Sequence, residues 1–461
     1  MRLTTQKSTT RRRAMIFALI CVLLAAAGGR AQVNERVAQL ERAAALIGGG
    51  RLAEAERQLT QILKLAPEEA AALNLLGAIR AQQGRLDEAE ALFSRAVRGD
   101  RRLTAAHMNL AYLYLLKREP EKTAAALREV LRLDPANAEA GYRLAWVLLS
   151  QGRLDECISL GDELRRSQTL SAALLAVLGD AHLRKGDAGR AEESYRQALE
   201  RQAAHPDALL GMAQAAQARG DAAAAALHLS RASDAVANRP DLLHKLARVA
   251  LNSGMKDEAV KALKRAVELQ PGEASYHFAL GSAWLKHPPD LQEAEQSFRQ
   301  ALKLRPADAQ GQLHLGYVLL KSKKHAEARE WLEKSAAKGA GTPEAFYYLG
   351  LIAQGQNDDA RAIELFEKAV RLAPSFGHAH VALGATYLKL KDYPRAQAAL
   401  ETGAKLSPDD SKAHYNLAML YARLKNPERA REEMRIVERL KNEGKAQAGG
   451  EGDALAPPPP R

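Results

Sequence analysis

The residues of this sequence that could take part in chemistry are twelve histidines, two cysteines and a run of three glycines. Imidazole and thiolate groups bind metal ions, thiolates also act as nucleophiles, and glycine-rich loops hold phosphate groups. Each of these functions requires several groups to be held together at a fixed spacing. Whether these residues can lie close together therefore depends on the secondary-structure elements that contain them.

These elements repeat with a period of 34 residues, and one residue is inserted in the eighth repeat. The eighth position of every repeat is alanine or glycine. The twentieth position is alanine in ten repeats, and the two exceptions are Thr123 and Cys157. The twelve repeats begin at Arg36, Ala70, Thr104, Ala138, Ala172, Pro206, Pro240, Ala274, Ala309, Pro343, Gly377 and Ser411.

Each repeat is predicted to form two helices joined by a turn. Positions 4, 7, 8 and 11 share one face of a first helix, and positions 20, 24 and 27 share one face of a second, because they lie three or four residues apart. Small residues at positions 8 and 20 let the two backbones approach closely. Glycine near position 15, as at Gly84 and Gly152, predicts a left-handed end to the first helix. Proline at position 32 of six repeats, as at Pro67, ends the second.

This pattern resembles the tetratricopeptide repeat family. The eighth repeat shows the resemblance in His277, Leu280, Gly281, Trp284, Ala294, Phe298, Ala301 and Pro306. The resemblance implies an all-α fold, namely an α-solenoid of about twelve helix–turn–helix units that forms a right-handed superhelix over residues 36–444. A single helix pair buries too little apolar surface to offset the entropy of ordering it, so neighbouring repeats must cover both faces of each pair.

The repeat separates the residues that could do chemistry. His107, His277, His380 and His414 all take position 4, which the family fills with a bulky packing residue, and each lies on a different helix pair. We therefore predict no metal site. Cys157 takes the small position 20, which predicts a buried, inert thiol.

No phosphate-binding loop, nucleophile elbow, zinc-protease motif or C-x-x-C pair occurs in the sequence. The triple glycine, Gly48–Gly50, lies at a turn between helices and follows no strand, so it does not predict a phosphate site. The sequence accordingly predicts no enzyme, no cofactor and no small-molecule substrate.

Residues 1–31 have the composition of a secretory signal. Arg11–Arg13 close a basic segment, an apolar stretch runs over Ala14–Ala27, and Gly29–Ala31 offers small residues for cleavage before Gln32. We therefore expect an exported, periplasmic protein.

An alternative is that residues 14–29 remain uncut as an inner-membrane anchor, although the stretch is shorter than the roughly 20 residues of a spanning helix. Contact with the membrane is expected only if this segment is retained.

The formal net charge is +12, and residues 1–31 contain six basic residues and no acidic one. The remaining excess is mild and lies on faces of mixed sign, with no basic stripe interleaved with aromatic residues, so no nucleic-acid partner is predicted. At the other end, residues 445–461 are poor in apolar residues and include four consecutive prolines, which predicts a disordered, proline-rich tail.

The family resemblance implies that first helices line a concave groove and that positions 2, 5, 9 and 12 point into it. Two groups of larger side chains occur at or beside these positions. They are Met108, Asn109, Tyr112, Tyr142, Arg143 and Trp146 in repeats three and four, and His244, Arg248, Phe278, Tyr317 and Tyr347 in repeats seven to ten. Aromatic residues on such a surface commonly anchor a protein partner. Alternatively, some of them fill the seam between adjacent first helices.

These features together predict an exported scaffold that binds protein or peptide partners in its groove. Two alternatives remain open. One is an assembly factor anchored in the inner membrane, and the other is the regulatory arm of an enzyme whose catalytic subunit is a separate chain.

Overall fold

The computed structural model describes residues 31–166, 170–337 and 342–447, with side chains described from Glu35 to Glu443. Across these ranges 24 α-helices are present and no strand is found, which confirms the predicted all-α fold class. Most of the predicted signal (1–31), the whole alternative anchor (14–29) and the last 14 residues of the predicted tail lie outside the described residues.

The helices alternate between the first and the second helix of successive repeats. They are α1 (Ala31–Gly48), α2 (Leu52–Leu65), α3 (Ala70–Gln82), α4 (Leu86–Gly99), α5 (Thr104–Lys117), α6 (Pro120–Leu133), α7 (Ala138–Ser150), α8 (Leu154–Arg166), α9 (Ala172–Arg184), α10 (Ala188–Arg201), α11 (Pro206–Ala218), α12 (Ala222–Val236), α13 (Pro240–Asn252), α14 (Lys256–Leu269), α15 (Ala274–Trp284), α16 (Leu291–Leu304), α17 (Ala309–Lys321), α18 (His325–Ala336), α19 (Pro343–Gly355), α20 (Asp359–Leu372), α21 (Gly377–Lys389), α22 (Tyr393–Leu406), α23 (Ser411–Arg423) and α24 (Pro427–Gln447).

The chain divides into two compact modules, an N-terminal module up to His228 and a C-terminal module from Leu229 onward. Within each module a first helix contacts its own second helix and the helices of the neighbouring repeats. Contacts are therefore local in sequence, as expected when each repeat packs only on its neighbours.

The core of a repeat forms where the side chain at position 24 packs against position 8. A β-carbon added to Gly77 would lie 2.7 Å from Cδ1 of Phe93, and one added to Gly281 would lie 2.9 Å from the ring of Phe298. Both aromatic rings are fully buried. The small residue at position 8 thus makes room for a side chain of the second helix, in addition to the close backbone approach expected from the sequence.

The turn between the two helices has the predicted left-handed residue at position 15. Six repeats place glycine there with positive φ, as at Gly84 and Gly152. Five others adopt the same conformation without glycine, at Arg118, Lys323, Asn357, Lys391 and Lys425. The eighth repeat, which carries the insertion, is the exception among the twelve. The conformation is therefore required by the geometry of the helix pair, and glycine only makes it easier to adopt.

A second helix can end at position 30 with or without a proline at position 32. Each of the six second helices followed by such a proline ends there, as at Leu65, and α4 and α10 end at Gly99 and Arg201 without one. The helix end is therefore set by the repeat, and proline is compatible with it. At the C-terminal end α24 continues to Gln447, three residues past the predicted boundary between the repeats and the tail. The residues around Gly444 are mainly lysine, glutamate, alanine and glutamine, which are strong helix formers, and one glycine does not end such a helix.

The left-handed residues give a first testable prediction. Lys391→Gly should raise the free energy of unfolding by about 1 kcal/mol, because φ of 63° is unfavourable for a residue with a β-carbon. Gly254→Ala, at the equivalent position of another repeat, should lower it by a similar amount. Urea unfolding followed by circular dichroism measures both, and a Lys391→Gly variant less stable than the parent would contradict the assignment.

Candidate partner-binding pocket

The C-terminal module contains a pocket of about 910 Å³ at the first helices of repeats seven, eight and nine. Its lining includes His244 and Arg248 from α13 and Phe278 from α15, so the structure brings together three residues of the second predicted group. Because residues four apart lie on one helix face, His244 and Arg248 point toward the same opening. The pocket is thus built mainly by the first helices α13 and α15, together with one residue of α14, the loop of residues 305–308 and Gln310 of α17.

Apolar side chains form most of the pocket wall. They are Ala247, Leu251, Leu263, Ala274, Phe278, Ala279, Pro306 and Ala307. Phe278 is 7% exposed, so most of its ring is buried although it lines the pocket. Two edge-to-face contacts fix it, with its ring centroid 5.3 Å from that of Phe298 and 4.9 Å from that of His314. The wall is therefore shaped by the core of the repeat beneath it.

Polar groups stand around this apolar wall. Arg305 donates to Glu273 across 2.6 Å, and Asp308 caps α17 by accepting from the backbone N–H of Gln310 at 3.1 Å. Arg248 is exposed and forms no salt bridge with any residue that the structure describes. Burial, together with the positive charge of Arg248, lowers the pKa of His244, so this ring is uncharged near neutral pH. Within the described lining, Arg248 is consequently the cation without a carboxylate partner, while Asp308 contributes a negative charge.

Sequence reasoning missed five polar residues of this lining, namely Ser275, Ser282, Arg305, Asp308 and Gln310. Ser275 and Gln310 occupy position 2 of their repeats and Ser282 occupies position 9. These are groove positions, so the signal was present, but only large side chains had been selected there. Arg305 lies at position 31, in the loop between repeats, where the repeat pattern gives no such signal.

Tyr317 and Tyr347 do not lie on an open surface, which corrects their predicted placement. They are 3% and 5% exposed. Tyr317 packs against Tyr348 with ring centroids 5.4 Å apart, and Tyr347 packs against Phe366 at 6.0 Å and Phe376 at 5.2 Å. Both fill the seam between helices, which was the alternative interpretation of the pattern.

The structure also places the residues of the first predicted group, in repeats three and four, in different environments. Tyr112, Tyr142, Arg143 and Trp146 line one small cavity of about 170 Å³. The Arg143 guanidinium lies 4.5 Å from the centroid of the Tyr112 ring, and its Nε donates to Glu139 at 2.5 Å. Trp146 is 46% exposed, so one large aromatic face remains open to solvent.

Met108 and Asn109 are buried rather than exposed in a groove, at 5% and 1% exposure. The Asn109 amide donates to the side-chain oxygen of Asn74 at 2.9 Å, which links the first helices of repeats two and three. An asparagine beside a groove position thus serves as a polar contact between repeats.

The histidines at position 4 share a structural contact. In His107, His277, His380 and His414 the ring Nε2 lies 2.9–3.1 Å from the carbonyl oxygen six residues earlier, at position 32 of the preceding repeat. Each ring therefore ties the start of a first helix to the loop before it. In the described ranges, no group of three or more histidine, cysteine, aspartate or glutamate side chains is placed to hold a metal ion.

The Cys157 thiol is fully buried, as predicted, and lies 3.5 Å from the carbonyl oxygen of Ala145. Burial raises its pKa to about 12, so the thiolate is scarcely populated near neutral pH and the thiol is a weak nucleophile.

Comparison with known families agrees with this architecture. One tetratricopeptide repeat model matches residues 40–102, 177–240, 244–297, 289–343 and 381–444, and a second matches residues 114–180 and 351–410. The chain belongs to the tetratricopeptide repeat family. The fold of this family is typical of scaffolds for protein–protein interaction.

Several solved structures are similar to this tetratricopeptide repeat chain. The APC/C hetero-tetramer Cut9–Hcn1 is 14% identical with a TM-score of 0.42, and the match covers 86% of this chain and 97% of that one. MamA is 26% identical with a TM-score of 0.32 and coverages of 35% and 93%. PilW, a widely conserved type IV pilus biogenesis factor, is 18% identical with a TM-score of 0.39 and coverages of 46% and 97%. No curated protein sequence matches the chain.

None of the helices within the described ranges combines the length and the apolar character that crossing a membrane requires.

Proposed function

We propose that this tetratricopeptide repeat protein is an exported scaffold that binds a partner polypeptide in the pocket of repeats seven to nine. The pocket volume of about 910 Å³ is the observation that carries the proposal. Sites for specific ligands are concave, mostly apolar and furnished with a few polar groups, and this pocket has each property.

The position of the pocket favours a polypeptide occupant. Its lining comes from α13 and α15, with Leu263 of α14, the loop of residues 305–308 and Gln310 of α17, so it spans three repeats. Such a groove suits an extended segment that places side chains in successive repeats. The exposed Trp146 and the cavity beside it in the N-terminal module give a second surface of similar character.

Blocking the pocket tests this function. Ala279→Arg should reduce the affinity for bound peptides at least tenfold, because a long charged side chain would occupy the apolar wall. Ala398→Arg is the matched control, since Ala398 is exposed on the second helix α22 and lies outside the pocket lining.

The ligands are selected from a phage-displayed library of random twelve-residue peptides, and their affinities are measured by fluorescence anisotropy. Selected peptides that bind Ala279→Arg as tightly as the parent protein would refute the pocket as the binding site.

Export is supported by the basic and apolar segments of residues 1–31. Mass spectrometry of the intact protein, purified from envelopes after expression of the full gene, tests it. We expect a mature chain that begins at Gln32. A chain that keeps residues 14–29 would instead favour the anchored alternative.

A further inference from the structure

We propose that the partner segment bound by this pocket carries a large apolar side chain with an aspartate or glutamate one or two residues away. This inference rests on the proposed function and specifies the chemistry of the partner. It is carried by two independent features of the lining, which are the apolar wall and the charge of Arg248.

The apolar wall determines the first element of the partner. Leu251 and Phe278 line the pocket with a group of alanines, and no bulky side chain fills the space between them. A methyl-rich cavity of this kind gains most from a leucine, isoleucine, methionine or phenylalanine side chain, because burial of such a group removes apolar surface from water. Polar side chains would lose hydration there without gaining partners.

The charge balance determines the second element. Arg305 is paired with Glu273, Asp308 is engaged as the cap of α17, and His244 is uncharged near neutral pH. Among the cations of the described lining, Arg248 alone has no carboxylate at salt-bridge distance, and it lies one helical turn from His244 on the same face. Asp308 keeps its own negative charge while it caps α17. A carboxylate beside the buried apolar group would pair with this guanidinium, and such pairing gives charge-assisted hydrogen bonds with directional preference.

Selection from the same random twelve-residue library tests the inference. On the parent protein we expect enrichment of peptides in which a large apolar residue is followed or preceded within two positions by aspartate or glutamate. Arg248→Gln should remove the acidic preference, keep the apolar one, and weaken binding of the best synthetic peptide about tenfold.

Reversing the charge of Arg248 gives a change in peptide selection that unfolding of the variant would not produce. Arg248→Glu should select lysine or arginine in place of the acidic residue. Arg423→Gln is the matched control, because Arg423 is also an exposed arginine on a first helix of the same module and lies outside the pocket. It should leave the selection unchanged.

The outcomes separate this inference from the proposed function. Apolar enrichment without acidic enrichment, or an acidic preference that survives Arg248→Gln, would overturn the inference and leave peptide binding in place. If no selected peptide binds Ala279→Arg more weakly than it binds the parent protein, both the inference and the proposed function would be overturned. A synthetic peptide of residues 448–461 serves as a competitor, and tight, Arg248-dependent binding of that peptide would replace the external partner by the chain's own tail.

Discussion

The contact between position 8 of a first helix and position 24 of the second is the constraint on which the fold of each repeat depends. Aromatic side chains stand at position 24 in four repeats, and each of these repeats has glycine at position 8. The pairs are Gly77 with Phe93, Gly179 with Tyr195, Gly281 with Phe298, and Gly350 with Phe366. Where position 8 is alanine, position 24 is leucine, methionine or glycine. Glycine also faces leucine in two repeats, at Gly316 with Leu332 and Gly384 with Leu400, so the missing methyl group permits an aromatic side chain at position 24 without requiring one. Closely packed interiors respond to volume changes of this size.

The contact between positions 8 and 24 of the eighth repeat also affects the shape of the pocket. Phe298 packs against Gly281 on one side and against Phe278 on another, and Phe278 forms part of the pocket wall. His314 of the next first helix completes the same aromatic group. The side chains that hold two neighbouring repeats together therefore also set the shape of the proposed binding surface, and no separate loop or domain is needed to form it.

Much of the architecture could be predicted from the sequence because its causes are local. Small residues at position 8 and glycine at position 15 act within one helix pair, and each lies where the pattern placed it. The left-handed conformation at Lys391 could not be predicted from residue type, since lysine rarely adopts it and only the neighbouring helices require it.

Placing the candidate site residues was harder, because burial depends on what the adjacent repeat contributes. Tyr347 stands at a groove position but is covered by Phe366 and Phe376, whereas Arg248, at an equivalent kind of position, faces an open pocket lined by alanines. The pattern of a single repeat contains no information on the size of its neighbours' side chains. A comparison of side-chain volumes across successive repeats would have separated the two cases.

A double-mutant cycle on Gly281 and Phe298 tests the central packing constraint most directly. Gly281→Ala alone should lower the free energy of unfolding by about 1–3 kcal/mol, because the new methyl group meets a fixed aromatic ring. Adding Phe298→Leu, which recreates the alanine–leucine combination of Ala247 and Leu263, should restore most of that loss. Strictly additive losses in the double variant would show that the two positions do not constrain each other and would contradict the account.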